Sequence, residues 1–295
     1  MRINAYAKIN IGLDVIGCRP DGYHEVRMIM QSIGLHDVLY VERTDTPGVR
    51  IATERDDLPA GEDNLIYKAA KLIMDEYDLP GGIDVRLDKN IPVAAGLAGG
   101  STDAAATIIA VNELYGLGLS REELMNMAVR IGADVPFCII GGCAIAEGIG
   151  EVLTPVDSKL NCRVLLAKPA DSVSTRYVYE HLDSACICHP DTDAIAEGLR
   201  EGDIEKVARN MGNVLENVTA PLVPAIGRIE DILEDCDGCV RTMMSGSGST
   251  VFGLFYPEAP EEAIKTAYER VRESGYAAEL YITGLYNGKE TSWMN

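Results

Sequence analysis

The segment that most constrains the fold is IPVAAGLAGGSTDAAATI, residues 91–108, in which a glycine-rich loop runs directly into an alanine-rich apolar stretch. A glycine turn that opens a helix leaves several backbone N–H groups without carbonyl partners, and the helix dipole adds partial positive charge at the same point. Such a helix start suits phosphate, and the small residues from Gly96 to Gly100 let the backbone approach the oxygens closely. Ser101 and Thr102 add hydroxyl groups that suit phosphate or Mg²⁺.

This loop matches neither of two common phosphate-binding motifs. No lysine follows its glycines, as the GxxxxGK[ST] loop requires, and it lacks the GxGxxG pattern with a ribose-binding acid about twenty residues later. Small residues at these positions also suit tight helix packing or a structural turn. On composition alone, phosphate binding and a purely structural role both stay open.

The chain of 295 residues carries a net charge of −20, from 46 acidic and 26 basic residues. This charge repels nucleic acid and anionic lipid head groups, so we expect neither a nucleic-acid partner nor a membrane partner. No window approaches the roughly 18 unbroken apolar residues of a membrane-spanning helix, and the N-terminal sequence MRINAYAKINIGLDV has no apolar signal-peptide core. We therefore expect a cytoplasmic protein that binds a small molecule.

Eight cysteines in a chain of this size without a secretion signal predict reduced thiols rather than disulfides. Cys236 and Cys239 have the CxxC spacing of redox and metal sites, and Cys186, Cys188 and His189 have a metal-like composition. Neither group has a second matching pair, which a zinc site of this type needs. Small buried thiols are the favoured interpretation of both groups.

Apolar periodicity and turn residues predict strands and helices mixed through both halves of the chain. Alternating segments on either side of the turn CRPDGYH predict a β-rich opening, and the strand-like IDVRLDKNIP leads into the glycine loop. Ser120 and Glu123 form a capping-box pair, which predicts a helix that runs to Gly132. Other helices are predicted over 64–79, behind the loop as far as Gly116, and at several places in the second half.

The mixture lacks the regular βα alternation of a doubly wound sheet, so we predict an α+β fold. The length of the chain favours two domains. The stretch from Pro155 to Leu160 has the character of a hinge between two halves. We therefore expect one domain at 1–155 and a second at 156–295.

Four segments in order along the chain resemble motifs of the GHMP kinases, the family of galactokinase, homoserine kinase, mevalonate kinase and phosphomevalonate kinase. The loop IPVAAGLAGGSTDAAAT resembles the nucleotide-binding motif of that family. The segments AYAKINIGLDVIGCRPDGYHEVRMIMQSIGLHDVL, GADVPFCIIGG and MMSGSGSTVFGLF extend the resemblance over nearly the whole chain. They are similar to the branch of the family that acts on a cytidine diphosphate-linked methylerythritol.

The resemblance implies an N-terminal domain like domain 2 of ribosomal protein S5 and a ferredoxin-like C-terminal domain, with ATP and substrate in the cleft between them. It implies transfer of the ATP γ-phosphoryl group, with Mg²⁺, to the 2-hydroxyl of the cytidine diphosphate-linked methylerythritol in non-mevalonate isoprenoid biosynthesis. Another GHMP kinase, such as a homoserine kinase, and a non-catalytic nucleotide-binding or RNA-binding module are the alternatives. The assembly is expected to be a monomer or a homodimer.

Two residues carry the catalysis that the resemblance implies. Asp134 in GADVP matches the catalytic aspartate, which would take the proton from the attacking hydroxyl. Taken alone, an aspartate just before Pro136 is also an ordinary helix N-cap. Lys8 in AKIN matches the lysine beside that aspartate, where a cation would hold the carboxylate ionised and stabilise negative charge during transfer.

The substrate residues implied by the resemblance lie in two further motifs. Asn10 shares a strand face with Lys8 and would hydrogen-bond the substrate. Tyr23 would stack on cytosine, and His24 would present backbone donor and acceptor groups, although a hairpin flank also explains the DGYHE turn. The resemblance also implies that Thr175 and Tyr179 would form a second wall of the pocket for the cytosine base.

The nucleotide residues implied by the resemblance surround the glycine loop. Lys89 and Asn64 would lie near the adenine pocket, and the glycine motif at 245–250 would close over the site. Ala98 and Thr102 depart from the glycine and serine frequent in the family, which would affect nucleotide affinity. The loop residues predicted to bind ATP are Pro92, Ala94, Ala95, Gly96, Leu97, Ala98, Gly99, Gly100, Ser101 and Thr102.

Overall fold

A computed structural model describes residues 1–182 and 188–288, and it confirms the predicted α+β class. Within these residues the helices are α1 (Leu65–Glu76), α2 (Gly99–Tyr115), α3 (Arg121–Ala128), α4 (Val135–Ile140), α5 (Thr175–Glu180), α6 (Thr192–Glu201), α7 (Ile204–Asn210), α8 (Glu216–Leu222), α9 (Ala225–Glu234) and α10 (Glu261–Ser274). The strands are β1 (Arg2–Cys18), β2 (His24–Thr44), β3 (Gly48–Thr53), β4 (Gly82–Asp88), β5 (Cys143–Glu147), β6 (Val152–Pro155), β7 (Arg163–Lys168), β8 (Gly212–Asn213), β9 (Cys239–Met244), β10 (Val251–Phe255) and β11 (Glu279–Gly284).

The chain folds into two compact units, each assembled from separate stretches of sequence. Unit 1 comprises Met1–Ala7, Leu35–Val93 and Ala98–Gly141. Unit 2 comprises Lys8–Gly34, Ala94–Leu97 and the residues from Gly142 onward. Strands β1 and β2 contribute residues to both units, so the units do not divide the chain at one position. The division into domains at 1–155 and 156–295 stays a prediction.

Unit 1 consists of strands and the helices α1 to α4. The second half of β2 pairs antiparallel with β4, and β3 pairs parallel with β4. Helix α2 is rich in alanine and is buried almost all round, as expected for a helix in the middle of a core. The capping box predicted at Ser120 and Glu123 is present at the start of α3, which confirms that helix start.

Unit 2 contains an antiparallel sheet of four strands in the order β11-β7-β10-β9. Its central strand β10 is fully buried, with Phe252 and Phe255 in the core. The first half of β2 pairs antiparallel with β5, and β1 pairs parallel with the short strand β8. Helices α9 and α10 have strongly amphipathic sequences and pack on the strands.

Several helix boundaries differ from the sequence prediction, and α1 spans Leu65–Glu76 rather than 64–79. Helix α3 ends at Ala128 rather than continuing to Gly132, because Arg130 and Ile131 donate to carbonyls three residues back in tighter turns. Helix α2 begins at Gly99, inside the glycine run rather than behind it, whereas its end agrees with the prediction, because Gly116 is its left-handed C-cap. No helix in the described ranges has the length and apolar character needed to span a membrane.

Candidate active site

The start of α2 has the features of an anion site. Its N-cap residue, Ala98, has left-handed backbone angles (φ 58°, ψ 28°) and supplies no capping side chain. The first amides of this 17-residue helix are therefore not satisfied by a side-chain cap. Backbone N–H groups and the helix dipole at Gly99 and Gly100 are suited to binding phosphate oxygens.

The two hydroxyl groups predicted to face phosphate or metal differ in their surroundings. Thr102 is buried, and its Oγ1 donates a hydrogen bond of 2.8 Å to the Tyr6 carbonyl oxygen. Ser101 is half-buried in the first turn of the same helix. Because Thr102 is already bonded within the protein, Ser101 is the better placed of the two for a ligand.

A buried charge cluster lies under the start of α2. The Lys89 ammonium contacts the carboxylates of Asp37 and Asp103, and all three side chains are almost completely buried. Burial works against the ammonium, but the two carboxylates raise the pKa of Lys89. Burial raises the pKa of Asp103 because it removes water from the carboxylate; the Lys89 ammonium works against this shift, and the neighbouring Asp37 carboxylate adds to it. A Cβ atom on Gly99 would lie 2.9 Å from Lys89 Nζ, so the cluster leaves no room for a side chain there.

Lys89 and Asn64, predicted near the adenine pocket, both have partners within unit 1. Asn64 caps α1, accepting from the Ile66 N–H at 2.9 Å and donating to the Pro59 carbonyl oxygen at 2.7 Å. Lys89 is held by its two carboxylates. These contacts give both residues a structural role, and their contact with a nucleotide stays a prediction.

Asp134 occupies the N-cap position of α4, but its side chain makes no capping hydrogen bond. Its backbone angles (φ −79°, ψ −17°) are helical, whereas a capping residue is usually extended. Pro136 lies in the first turn, as expected for the start of a helix. The ordinary N-cap interpretation of Asp134 therefore lacks its defining bond, and the role as proton acceptor stays a prediction.

In unit 2, the structure brings Lys8 and Asn10 together as their spacing on one strand predicted. The Lys8 ammonium donates a hydrogen bond of 2.6 Å to Asn10 Oδ1, and both residues are buried. A solvated lysine on a strand surface is therefore ruled out. Buried ammonium groups need polar partners, and this one is held by the residue predicted to bind the substrate.

The segment 94–97 of the glycine loop belongs to the same unit as Lys8. The Lys8 N–H donates to the Leu97 carbonyl oxygen at 3.1 Å, and Ser245 Oγ donates to the Gly96 carbonyl oxygen at 3.0 Å. A Cβ atom on Gly96 would lie 2.1 Å from the Ser245 carbonyl oxygen, and its φ is +74°. Only glycine fits at this contact.

The residues predicted to hold the cytidine base lie in unit 2. The rings of His24 and Tyr179 are 5.3 Å apart between centroids, so these two predicted residues do meet. Tyr23 is 60% exposed on the turn before β2. Thr175 Oγ1 lies 2.7 Å from Ser247 Oγ, which joins the predicted base wall to the glycine motif 245–250.

The cysteine groups show no metal site in the part of the chain that the structure describes. Burial raises the pKa of Cys239 to about 12, which disfavours a reactive thiolate. Cys186 lies outside the described residues. Cys188 is exposed, and His189 Nδ1 lies 2.7 Å from an Asp14 carboxylate oxygen.

Sequence patterns did not reveal Asp37 or Asp103 as partners of Lys89. Asp37 is 52 positions from Lys89 along the chain, and no local periodicity links them. The charge of Asp103 in an apolar helix, beside a glycine loop, was the one available signal. The sequence also did not reveal the contact between Ser245 and Gly96, although it identified the glycine motif that contains Ser245.

Two family models match the chain. Residues 64–142 match the GHMP kinases N terminal domain, and residues 195–277 match the GHMP kinases C terminal model. Together these segments cover more than half of the chain.

Curated relatives and solved structures give the same result. A protein of Lachnospira eligens named 4-diphosphocytidyl-2-C-methyl-D-erythritol kinase is 48% identical, over 97% of this chain and 98% of its own. A crystal structure of 4-(cytidine 5'-diphospho)-2C-methyl-D-erythritol kinase is 31% identical with a TM-score of 0.81, covering 98% of this chain and 100% of the other. The fold is also that of a homoserine kinase from Cytophaga hutchinsonii, with 19% identity, a TM-score of 0.74 and coverage of 97% and 95%. The chain therefore belongs to the GHMP kinases and, within them, to the family of 4-diphosphocytidyl-2-C-methyl-D-erythritol kinases.

Proposed function

We propose that this phosphotransferase moves the γ-phosphoryl group of ATP to the 2-hydroxyl of 4-diphosphocytidyl-2-C-methyl-D-erythritol, in non-mevalonate isoprenoid biosynthesis. The observation that carries the proposal is the 48% identity, over 97% of the chain, to a kinase of that name. The homoserine kinase likeness at 19% identity supports only the fold. The cytoplasm as location, and a monomer or homodimer as assembly, are part of the same proposal.

In this proposal the glycine loop and the start of α2 bind the ATP phosphates through backbone N–H groups. The uncapped helix start at Gly99 and the left-handed Ala98 support that role. Ser101 would hold Mg²⁺ together with phosphate oxygens, since Thr102 is bonded to a backbone carbonyl. The ion, when bound, supplies positive charge that offsets the charge on the phosphates.

Asp134 is the proposed proton acceptor for the substrate hydroxyl, and Lys8 the proposed cation that stabilises charge on the transferred group. Asn10 Oδ1 holds the Lys8 ammonium. Asn10 Nδ2 directs one N–H group to Met28 Sδ at 3.5 Å, and its other N–H group is assigned to the substrate. The cytidine base is assigned to Tyr23, His24 and Tyr179. The exposed Tyr23 ring and the His24–Tyr179 contact support this assignment.

A coupled ADP-release assay with Mg-ATP tests the proposal. The enzyme should turn over 4-diphosphocytidyl-2-C-methyl-D-erythritol, and phosphorus NMR of the product should place the new phosphate on the 2-oxygen. Homoserine, offered in parallel, should give no ADP above background. Turnover of homoserine alone, or a product phosphorylated at another oxygen, would refute the proposal.

A further inference from the structure

The glycine motif at 245–250 is held by a buried asparagine from another part of unit 2. Asn213 is the second residue of β8 and lies opposite Leu13 of β1. Its Nδ2 donates to the carbonyl oxygens of Met244 and Gly246, both at 2.8 Å. Both N–H groups of the amide are therefore used on the glycine motif.

The two carbonyls that Asn213 binds flank Ser245. One side chain therefore holds the Met244–Ser245 peptide, which precedes Ser245, and the Gly246–Ser247 peptide, which follows Gly246. A second anchor comes from Glu216, whose carboxylate accepts from the Met244 N–H at 3.0 Å. The asparagine oxygen is also occupied, because it accepts from the Leu215 N–H at 3.1 Å. The amide nitrogen and the amide oxygen of the Asn213 side chain thus both bond to backbone groups, which fixes the orientation of the side chain.

Ser245 passes this constraint to the glycine loop. Its hydroxyl donates to the Gly96 carbonyl oxygen at 3.0 Å and accepts from the Asn10 N–H at 3.3 Å. Ser245 is completely buried, and the Gly96 backbone approaches its carbonyl too closely for any side chain at position 96. A shift of Ser245 cannot be absorbed by solvent, so it would move the 94–97 segment.

We propose that Asn213 is a positioning residue for nucleotide binding: it fixes Ser245, and Ser245 fixes the 94–97 segment of the loop in its binding conformation. The inference rests on the proposed binding of ATP at this loop. It adds a residue outside the loop and outside every motif assigned to the nucleotide above. Asparagine is required because aspartate at 213 would set a negative oxygen against two carbonyl oxygens, losing both donors.

Binding of a non-hydrolysable ATP analogue with Mg²⁺, measured by calorimetry, tests this chain of contacts. Asn213→Ser removes both donors and keeps a hydroxyl that can accept from Leu215. We expect a roughly tenfold weaker affinity, and a similar loss in Ser245→Ala. Because the two residues act in series, the Asn213→Ser/Ser245→Ala double variant should bind about as weakly as the weaker single variant, not a hundredfold less tightly.

Asn112→Ser is the matched control. Asn112 is also a buried asparagine with both amide groups bonded to backbone, donating to the Leu119 carbonyl oxygen and accepting from its N–H. Its variant should lose thermal stability but bind the analogue as the native protein does. Combined with Ser245→Ala, it should add nothing to the loss of affinity. If Asn213→Ser weakened binding only by lowering stability, the Asn112 variant would weaken binding as well.

Three results separate the possible failures. Unchanged affinity in Asn213→Ser, or independent effects of Asn213→Ser and Ser245→Ala, would overturn the positioning role while leaving the kinase proposal intact. Normal analogue binding by the native protein without turnover of the cytidine substrate would overturn the kinase proposal alone. If Asn213→Ser does not fold, Glu216→Gln, which weakens the second anchor on the Met244 N–H, provides the cycle with Ser245→Ala.

Discussion

The Lys89 ammonium lies 2.8 Å from a carboxylate oxygen of Asp103, and this ion pair is buried at the start of α2. Asp37 contacts the same ammonium and also accepts hydrogen bonds from the backbone N–H groups of Asn90 and Ile91. The second oxygen of Asp103 has no hydrogen-bond partner within the described residues. Asp103 is therefore the less well satisfied of the two carboxyl groups, and burial raises its pKa.

We expect this arrangement to make the free energy of unfolding fall as the pH rises. The pKa of Asp103 is raised in the folded state above its ordinary value of 3.8. At a pH between the unfolded-state pKa and the higher folded-state pKa, the folded protein therefore binds more protons than the unfolded chain. The contribution of Asp103 to stability is complete below the unfolded pKa and is lost as the pH rises through the folded pKa. Urea unfolding between about pH 5 and about pH 9 measures this slope.

Asp103→Asn should flatten that slope, because an amide cannot ionise. The variant should gain stability relative to the native protein as the pH rises. Asp88→Asn is the control, since Asp88 is an exposed aspartate paired with Arg86 and should leave the slope unchanged. An Asp103→Asn protein with the native slope would show that another group controls the pH dependence.

Asp134 and Asp203 allow a direct comparison of two aspartates at helix starts. Asp203 caps α7 by accepting from the Lys206 N–H at 3.0 Å, whereas Asp134 makes no capping bond to α4. Asp203→Ala should lower the free energy of unfolding by about 1 kcal/mol and leave kcat unchanged. Asp134→Ala should lower kcat by at least about 100-fold, because it removes the proposed proton acceptor. Near-normal turnover by Asp134→Ala would remove this residue from the mechanism.

The left-handed backbone of Ala98, the N-cap of α2, predicts that its replacement by glycine has the opposite effect to the same replacement inside the helix. An alanine at φ 58° carries a strain of about 1 kcal/mol that glycine does not, so Ala98→Gly should be as stable as the native protein or slightly more stable. Ala110→Gly, in the buried middle of α2, should instead lose about 1 kcal/mol. Guanidinium unfolding of both variants tests this, and an equal loss in the two would contradict it.

Much of the local structure could be predicted because it depends on neighbours in sequence. The capping box at Ser120, the helix behind the glycine loop and the shared face of Lys8 and Asn10 all follow from short-range spacing, and the structure has each of them. The α+β class followed from the irregular order of strands and helices. Boundaries were less accurate where turns tightened, as at the end of α3.

The contacts that support the candidate site could not be predicted in this way. Asp37 reaches Lys89 across 52 positions, and Ser245 reaches Gly96 across 149. Neither contact leaves a periodic signal, since each depends on which strands and loops the tertiary fold brings together. The two-residue strand that carries Asn213 is likewise too short to show an alternating pattern. Sequence motifs therefore located the loop, whereas its supporting contacts required the structure.

The exposure of Tyr23 predicts a variant that affects substrate binding but not folding. Its ring is 60% exposed on a turn, so truncation costs little packing, whereas a base stacked on it would contribute about 1–3 kcal/mol. Tyr23→Ala should therefore raise KM for the cytidine substrate by about tenfold, with a small change in kcat. Tyr177→Ala is the control, because Tyr177 is also an exposed tyrosine, stacked on His181 at 3.8 Å, and is assigned no contact with substrate. Steady-state kinetics at saturating Mg-ATP provides the measurement. A KM unchanged in Tyr23→Ala, or raised equally in Tyr177→Ala, would count against stacking of the base on Tyr23.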